Sequence, residues 1–297
     1  MQSPTHPDTE TAGRNSLCDL ELIRRRSLSE QETDILNAFN HAIHPATSET
    51  SKEAAQWLDE SCPPLAQEEE ANDYLWNVWD IMLEVARSPG VTSEIHMRLI
   101  SVAEDIRLCA KGEFNVWGSQ QRVWKDLPFL PMVMDLLLRD PALYDEEVTP
   151  EKAEIWQNIN NFGARCLKAG VSGPYAQAMD ALGAALEEEQ TDMTESKLKI
   201  AYPWIAHGSR ALVWWTRDNI GYRDVPVEDT ANYVEGGPLY HGPQTMCLRR
   251  WGFWLDRFEH FGKEESGLSE EARRIALEAA RTMRAVEASI GSTLLSR

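Results

Sequence analysis

The sequence predicts an all-α protein of about ten helices in one compact irregular array. Three observations predict it. Apolar residues recur at three- and four-residue steps along most of the chain, the spacing that lines one face of a helix. Caps, prolines and glycines stand where those stripes begin and end. No sustained apolar/polar alternation bounded by Asn-Gly or Asp-Gly turns occurs, so strand signals are nearly absent.

Residues 1–28 are rich in Ser, Thr, Pro and Asp and carry too few large apolar side chains to offset ordering entropy. They are expected to form a disordered arm before a single globular domain at 29–297. Ser29 caps a first helix carrying Ile35, Leu36 and Phe39. Ala54, Trp57 and Leu58 mark a second, stopped by Pro63-Pro64. Leu75, Val78, Trp79, Met82, Val85 and Ala86 form a third stripe with acidic residues at its start, where they suit the helix dipole. Ile95, Leu99, Val102, Ile106 and Cys109 form a fourth, ending at Gly112.

Residues 113–127 break the pattern and read as an aromatic loop, with Phe114, Trp117 and Trp124 packed down onto helices. Helix returns near Pro131 and stops at Asp140-Pro141. Thr149-Pro150-Glu151 starts the next, with Ile155, Ile159, Phe162 and Cys166 on its face and Gly170 at its end. Tyr175, Met179, Leu182 and Leu186 give a further helix, and Pro203 starts or kinks another carrying Trp204, Ile205, Leu212 and Trp215. Residues 220–243 read as a long loop punctuated by Gly and Pro. Two helices close the chain, one with Leu248, Trp251, Leu255 and Phe258, the other capped by Ser269 and running to Ile290.

Composition narrows the function. A chain of 297 residues can bury a sizeable core without a disulfide or metal staple. Its net charge of −19 opposes phosphate backbones and anionic lipid, so no nucleic-acid partner is expected. The one basic run, Arg24-Arg25-Arg26, is short and reads as a solvated cluster. The five cysteines are scattered without a C-x-x-C; Cys109 and Cys166 lie on apolar helical faces and read as small buried hydrophobes in a reducing compartment. Residues 1–15 lack the apolar core of a signal peptide, and no run of about 18 apolar residues could span a membrane. The expected location is the cytoplasm.

Motifs for helical enzymes are missing. There is no Glu-x-x-His pair for a di-iron centre, no His-Glu-x-x-His for zinc, and no phosphate-binding or dinucleotide glycine loop. His41 and His44 could share a helical face, but two ligands do not close a metal site. No metal or cofactor is expected. The 11 tryptophans are the most unusual feature; several sit at core spacing, and the alternative is an aromatic-lined pocket. The best polar candidates lie beside them. Trp204, His207 and Arg210 step by three along one helix, Trp254 and Arg257 do so on another, and Tyr240 and His241 end the long loop. Guanidinium groups stacked on indoles can hold an anion.

Several segments together resemble a known family. GGPLYHGPQTMCLRRWGFWLDRF from Gly236, EEARRIALEAARTM from Glu270, VWGSQQRVWKDLPFLP from Val116, IWQNINNFGARCLKAGV from Ile155 and WIAHGSRALVWW from Trp204 follow the order of the fungal family called domain of unknown function 3632. LWNVWDIMLEVARS from Leu75 fits more loosely. The resemblance covers most of 50–290 and implies a filamentous-fungal source and a helical fold. It carries no catalytic residues. The resulting expectation is a non-catalytic protein that binds a small ligand or a protein partner through an aromatic-lined groove. The alternative is an accessory enzyme of fungal specialised metabolism with a site near His207, Arg210 and Tyr240.

Overall fold

The computed structural model describes residue 23 and residues 27–44, 47–139, 149–218 and 234–295, with side chains except at 217–218 and beyond 289. The basic run Arg24-Arg25-Arg26, nearly all of the arm at 1–28, the stop at Asp140-Pro141, most of the loop at 220–243 and the Ile290 side chain lie outside the described residues. Among those described there are ten α-helices and one two-stranded sheet, so the fold is all-α.

The helices are α1 (Glu30–Ile43), α2 (Ser48–Glu60), α3 (Glu68–Arg87), α4 (Ser93–Ile106), α5 (Leu130–Leu138), α6 (Pro150–Ala169), α7 (Tyr175–Leu186), α8 (Thr194–Asp218), α9 (Leu248–Phe261) and α10 (Glu270–Leu295). Their ends follow local chemistry. Ser29 accepts from the Glu32 amide at 3.2 Å while the Glu32 carboxylate accepts from the Ser29 amide at 2.8 Å, a reciprocal capping box that satisfies two orphan donors. Thr149 caps α6 with Pro150 at its first position, and Gly170 ends that helix at φ 69°, a left-handed turn that glycine adopts without a Cβ penalty.

One connected hydrophobic core takes residues from all ten helices. α8 is the hub: α6, α7, α9 and α10 all pack against it, while α3 and α4 join the α1–α4 group to α6. α8 begins at Thr194, upstream of Pro203, which lies inside the helix. Of the two expectations for Pro203, a start or a kink, the start is excluded, because the proline is interior to the helix. Cys109 lies beyond the end of α4 and is only half-buried, not on an apolar helical face. Trp57 is exposed and stacks on His41 at 4.4 Å between ring centres.

The expected loop at 113–127 contains a hairpin. β1 (Glu113–Val116) pairs antiparallel with β2 (Ser119–Arg122), with Val116 opposite Ser119. The two-residue connection, Trp117-Gly118, has φ of 48° and 88°. Positive φ at both central residues is what a type I′ hairpin turn requires, and Asn-Gly or Asp-Gly usually supplies it. A tryptophan in the first position hides the turn from a sequence reader. Phe114 and Trp124 are packed down as expected, but Trp117 stays exposed.

Trp124, Leu127 and Phe129 also take positive φ, at 67°, 49° and 70°. Each such residue costs about 1–2 kcal/mol, offset here because all three side chains are buried in the core. The coil is also tied down by its polar atoms. Trp79 Nε1 donates to the Pro128 carbonyl at 2.6 Å, and Trp124 Nε1 donates to Asp59 at 2.7 Å.

Candidate functional site

The seven candidate residues fall into separate neighbourhoods. Successive residues of a helix turn by about 100°, so steps of three rotate backward by about 60° each. Trp204, His207 and Arg210 therefore drift around α8 instead of sharing one direction. Trp204 is fully buried and donates to Asn160 Oδ1 at 3.0 Å. His207 is half-buried. Burial first, then the positive charges of Arg165 and Lys168, hold its pKa down at about 4, so it is neutral at neutral pH. Arg210 is exposed.

Tyr240 and Trp254 do come together, around a residue the sequence did not single out. The guanidinium carbon of Arg250 lies 5.0 Å from the Tyr240 ring centre and 5.8 Å from that of Trp254. Arg250 pairs with Glu187: Nε donates to Oε1 at 2.7 Å and Nη2 to Oε2 at 2.8 Å. The side chains are 1% and 0% exposed, so the pair stands in the dry core. Trp254 Nε1 adds a bond to Oε1 at 2.7 Å, and the Gly237 amide adds one to Oε2 at 2.8 Å. Four donors thus fill the carboxylate. Arg250 also donates to the Val234 and Glu235 carbonyls at 2.7 and 2.8 Å.

This arrangement fastens the loop before α9 to the end of α7. At Gly237 a Cβ would lie 2.8 Å from both Cβ and O of Glu187, so only glycine permits the approach. Arg257 works on the same helix end, donating to the Leu186 and Glu188 carbonyls at 2.9 and 3.3 Å. A cation there satisfies orphan carbonyls and complements the helix dipole. His241 is exposed, and its carbonyl accepts from Arg249 at 2.9 Å. Tyr240 turns its hydroxyl to Cys247 Sγ at 3.6 Å, and burial raises its pKa well above the ordinary tyrosine value. No hydrogen bond, ion pair or ring contact among the described residues joins His207 or Arg210 to Tyr240.

Glu187 sits in a run of three glutamates and Arg250 in a pair of arginines, patterns that ordinarily mark solvated surface. The available signal was register. Arg250, Trp254 and Arg257 recur at four and three residues, which places Arg250 on the face of a core tryptophan.

A cavity of about 520 Å³ opens elsewhere, where α5, α6, α7 and α8 meet. Leu138, Trp156, Ala181, Ala184 and Ile200 supply its apolar wall. Asp135, Arg139, Asn160, Gln177, Asp180 and Lys197 supply its polar one. None of the seven candidates lines it, although Trp204 anchors the wall residue Asn160, whose Nδ2 donates to the Trp156 carbonyl at 2.9 Å. Asp135 accepts from Arg139 at 3.0 Å and also from Gln177. Asp180 is exposed. Crowding by the walls, and then the neighbouring Asp135 charge, still raise its pKa. Among the described residues no group of three His, Cys, Asp or Glu side chains could hold a metal ion, and no helix is long and apolar enough to cross a membrane.

A family model described as Protein of unknown function (DUF3632) matches residues 79–258, more than half of the chain. The chain belongs to that family. The DUF3632 match runs from Trp79 in α3 to Phe258 in α9, and it contains the four helices around the cavity as well as the Glu187–Arg250 pair. No curated protein and no solved structure matches the chain.

Proposed function

We propose that the protein is a non-catalytic binder of a small organic molecule, held in the cavity between α5, α6, α7 and α8. The cavity itself is the observation that supports this reading. Its volume of about 520 Å³ falls within the range of small-molecule sites, about 300–1,000 Å³. Its mixture of an apolar wall with a few convergent polar groups is also what such sites use to grip and orient a ligand.

The state of the reactive groups favours binding over catalysis. Burial pushes the Cys62 thiol up to about 11 and raises Cys166 further, which leaves little thiolate, the nucleophilic form. The Glu187 carboxylate, with four donors in place, has no free lone pair for a proton transfer. An accessory enzyme with a site near His207, Arg210 and Tyr240 would need those side chains to converge, and their neighbours differ. The described cysteines, Cys62, Cys109, Cys166 and Cys247, are unpaired, which suits a reducing compartment such as the cytosol.

Titration with anilinonaphthalene sulfonate tests the reading. The dye is expected to bind saturably at one site and to accept energy from Trp156 in the wall. Ala181→Phe, which fills the cavity, is expected to abolish that binding. Dye that fails to saturate, or that binds Ala181→Phe as well as the parent chain, refutes the assignment.

A further inference from the structure

We propose that the cavity takes a small zwitterion with an apolar body, its ammonium end against Asp180 and its carboxylate end against Lys197. The inference rests on reading the cavity as a binding site. It starts from which polar groups in the wall are already committed. Asp135 is engaged by Arg139 and Gln177. Asn160 uses its oxygen for Trp204 and its amide nitrogen for Trp156. Asp180 on α7 and Lys197 on α8 differ: neither side chain makes a hydrogen bond or salt bridge among the described residues.

Those two helices pack directly against each other, and both side chains face the same space. Opposite charges so placed would ordinarily pair, yet they stand farther apart than the 4.0 Å of a salt bridge. A ligand that bears both charges can bridge the gap they leave. The four charges of the wall, Asp135, Asp180, Arg139 and Lys197, cancel. A ligand with a single charge would therefore satisfy one end and leave the other partly desolvated without a partner, which is unfavourable. A zwitterion satisfies both. Asp180 also feels the carboxylate of Asp135 and is crowded by the walls, and an arriving ammonium relieves both effects. Leu138, Trp156 and Ile200 offer the apolar surface that the body of the molecule would cover.

The test uses the full chain and four probes of one shape: phenylalanine, phenethylamine, phenylpropionate and the neutral phenylpropanamide. Calorimetric titration is expected to show phenylalanine binding one to one, about tenfold or more tighter than each of the others, a difference of about 1.4 kcal/mol. Asp180→Asn is expected to erase the preference over phenylpropionate, and Lys197→Met the preference over phenethylamine. Both residues lie outside the core, so the variants are expected to fold, and each checks a different end of the ligand. The proposal is overturned if phenylpropanamide binds as tightly as phenylalanine, or if either variant leaves its preference intact. It is also overturned if no probe binds while the dye still occupies the cavity; in that outcome, as with an equally tight neutral probe, the binding site survives and only the charge assignment fails. If dye and probes all fail to bind, both readings fall.

Discussion

Replacing Arg250 by Met keeps most of the side-chain length and removes the charge. Four hydrogen bonds go with it: two to Glu187, at 2.7 and 2.8 Å, and one each to the Val234 and Glu235 carbonyls. Glu187 keeps the Trp254 and Gly237 donors but becomes an uncompensated charge at 0% exposure. Removing one partner of a buried pair costs about 3–5 kcal/mol. The two carbonyls lie nearer solvent and add on the order of 1 kcal/mol together, because water replaces part of what they lose. The total is about 4–6 kcal/mol. Unfolding entropy runs at about 2.1 cal/mol/K per residue, so 297 residues give about 0.6 kcal/mol/K. The thermal midpoint, followed by far-ultraviolet circular dichroism, is then expected to fall by roughly 6–10 °C. The double variant Glu187→Met/Arg250→Met is expected to recover only part of the loss. It removes the stranded charge but leaves the Trp254 and Gly237 N–H groups without acceptors, at about 1–3 kcal/mol each. A fall of less than about 2 °C for Arg250→Met would refute the reasoning, because it would mean that water reaches Glu187.

Two further perturbations probe the packing and the titration of the core. At Gly163 a Cβ would lie 2.9 Å from Trp204 Cη2 and 3.3 Å from Leu138 Cδ1. Gly163→Ala gains up to about 1 kcal/mol of helix propensity, but the indole is held by Asn160 and cannot retreat. Overpacking of about 1–3 kcal/mol is expected to win, lowering the thermal midpoint; an unchanged or higher midpoint counts against a rigid α6–α8 contact. His96 is buried, with Nε2 2.8 Å from the Ala86 carbonyl and Nδ1 without a partner. Burial holds its pKa at about 4 against 6.5 for the free group. The unfolded chain takes up a proton that the folded chain refuses, so this contribution to stability is complete above pH 6.5 and is lost as the pH falls toward 4. The loss reaches on the order of 3 kcal/mol. Urea midpoints measured across that window are expected to fall less steeply for His96→Gln than for the parent chain; parallel curves would show that another group carries the dependence.

Much of the fold was legible in the chain itself. The stripe from Leu75 to Ala86 is buried at every named position, and Ser29, Thr149 and Gly170 cap helices as their residue types require. These features act over one or two turns, so they leave a local trace. The hairpin left a weaker one, because Trp117 occupies a turn position normally held by Asn or Asp. Of the tryptophans chosen as site candidates, Trp204 and Trp254 are buried at helical core spacing, as the pattern allowed, with each indole N–H bound to a specific polar partner.

Sequence by itself determined the helical class, most helix boundaries and the apolar faces, because the period of side-chain burial and the caps are written within a few residues. Tertiary structure alone decided which charges are buried and where space remains. Glu187 and Arg250 are 63 residues apart; register alone sets Arg250 on the face of Trp254, nothing local marks Glu187 as internal, and the burial of both depends on α9 reaching the end of α7. The cavity likewise belongs to no single element. It is the volume left when four helices, each complete in its own pattern, meet without filling the space between them.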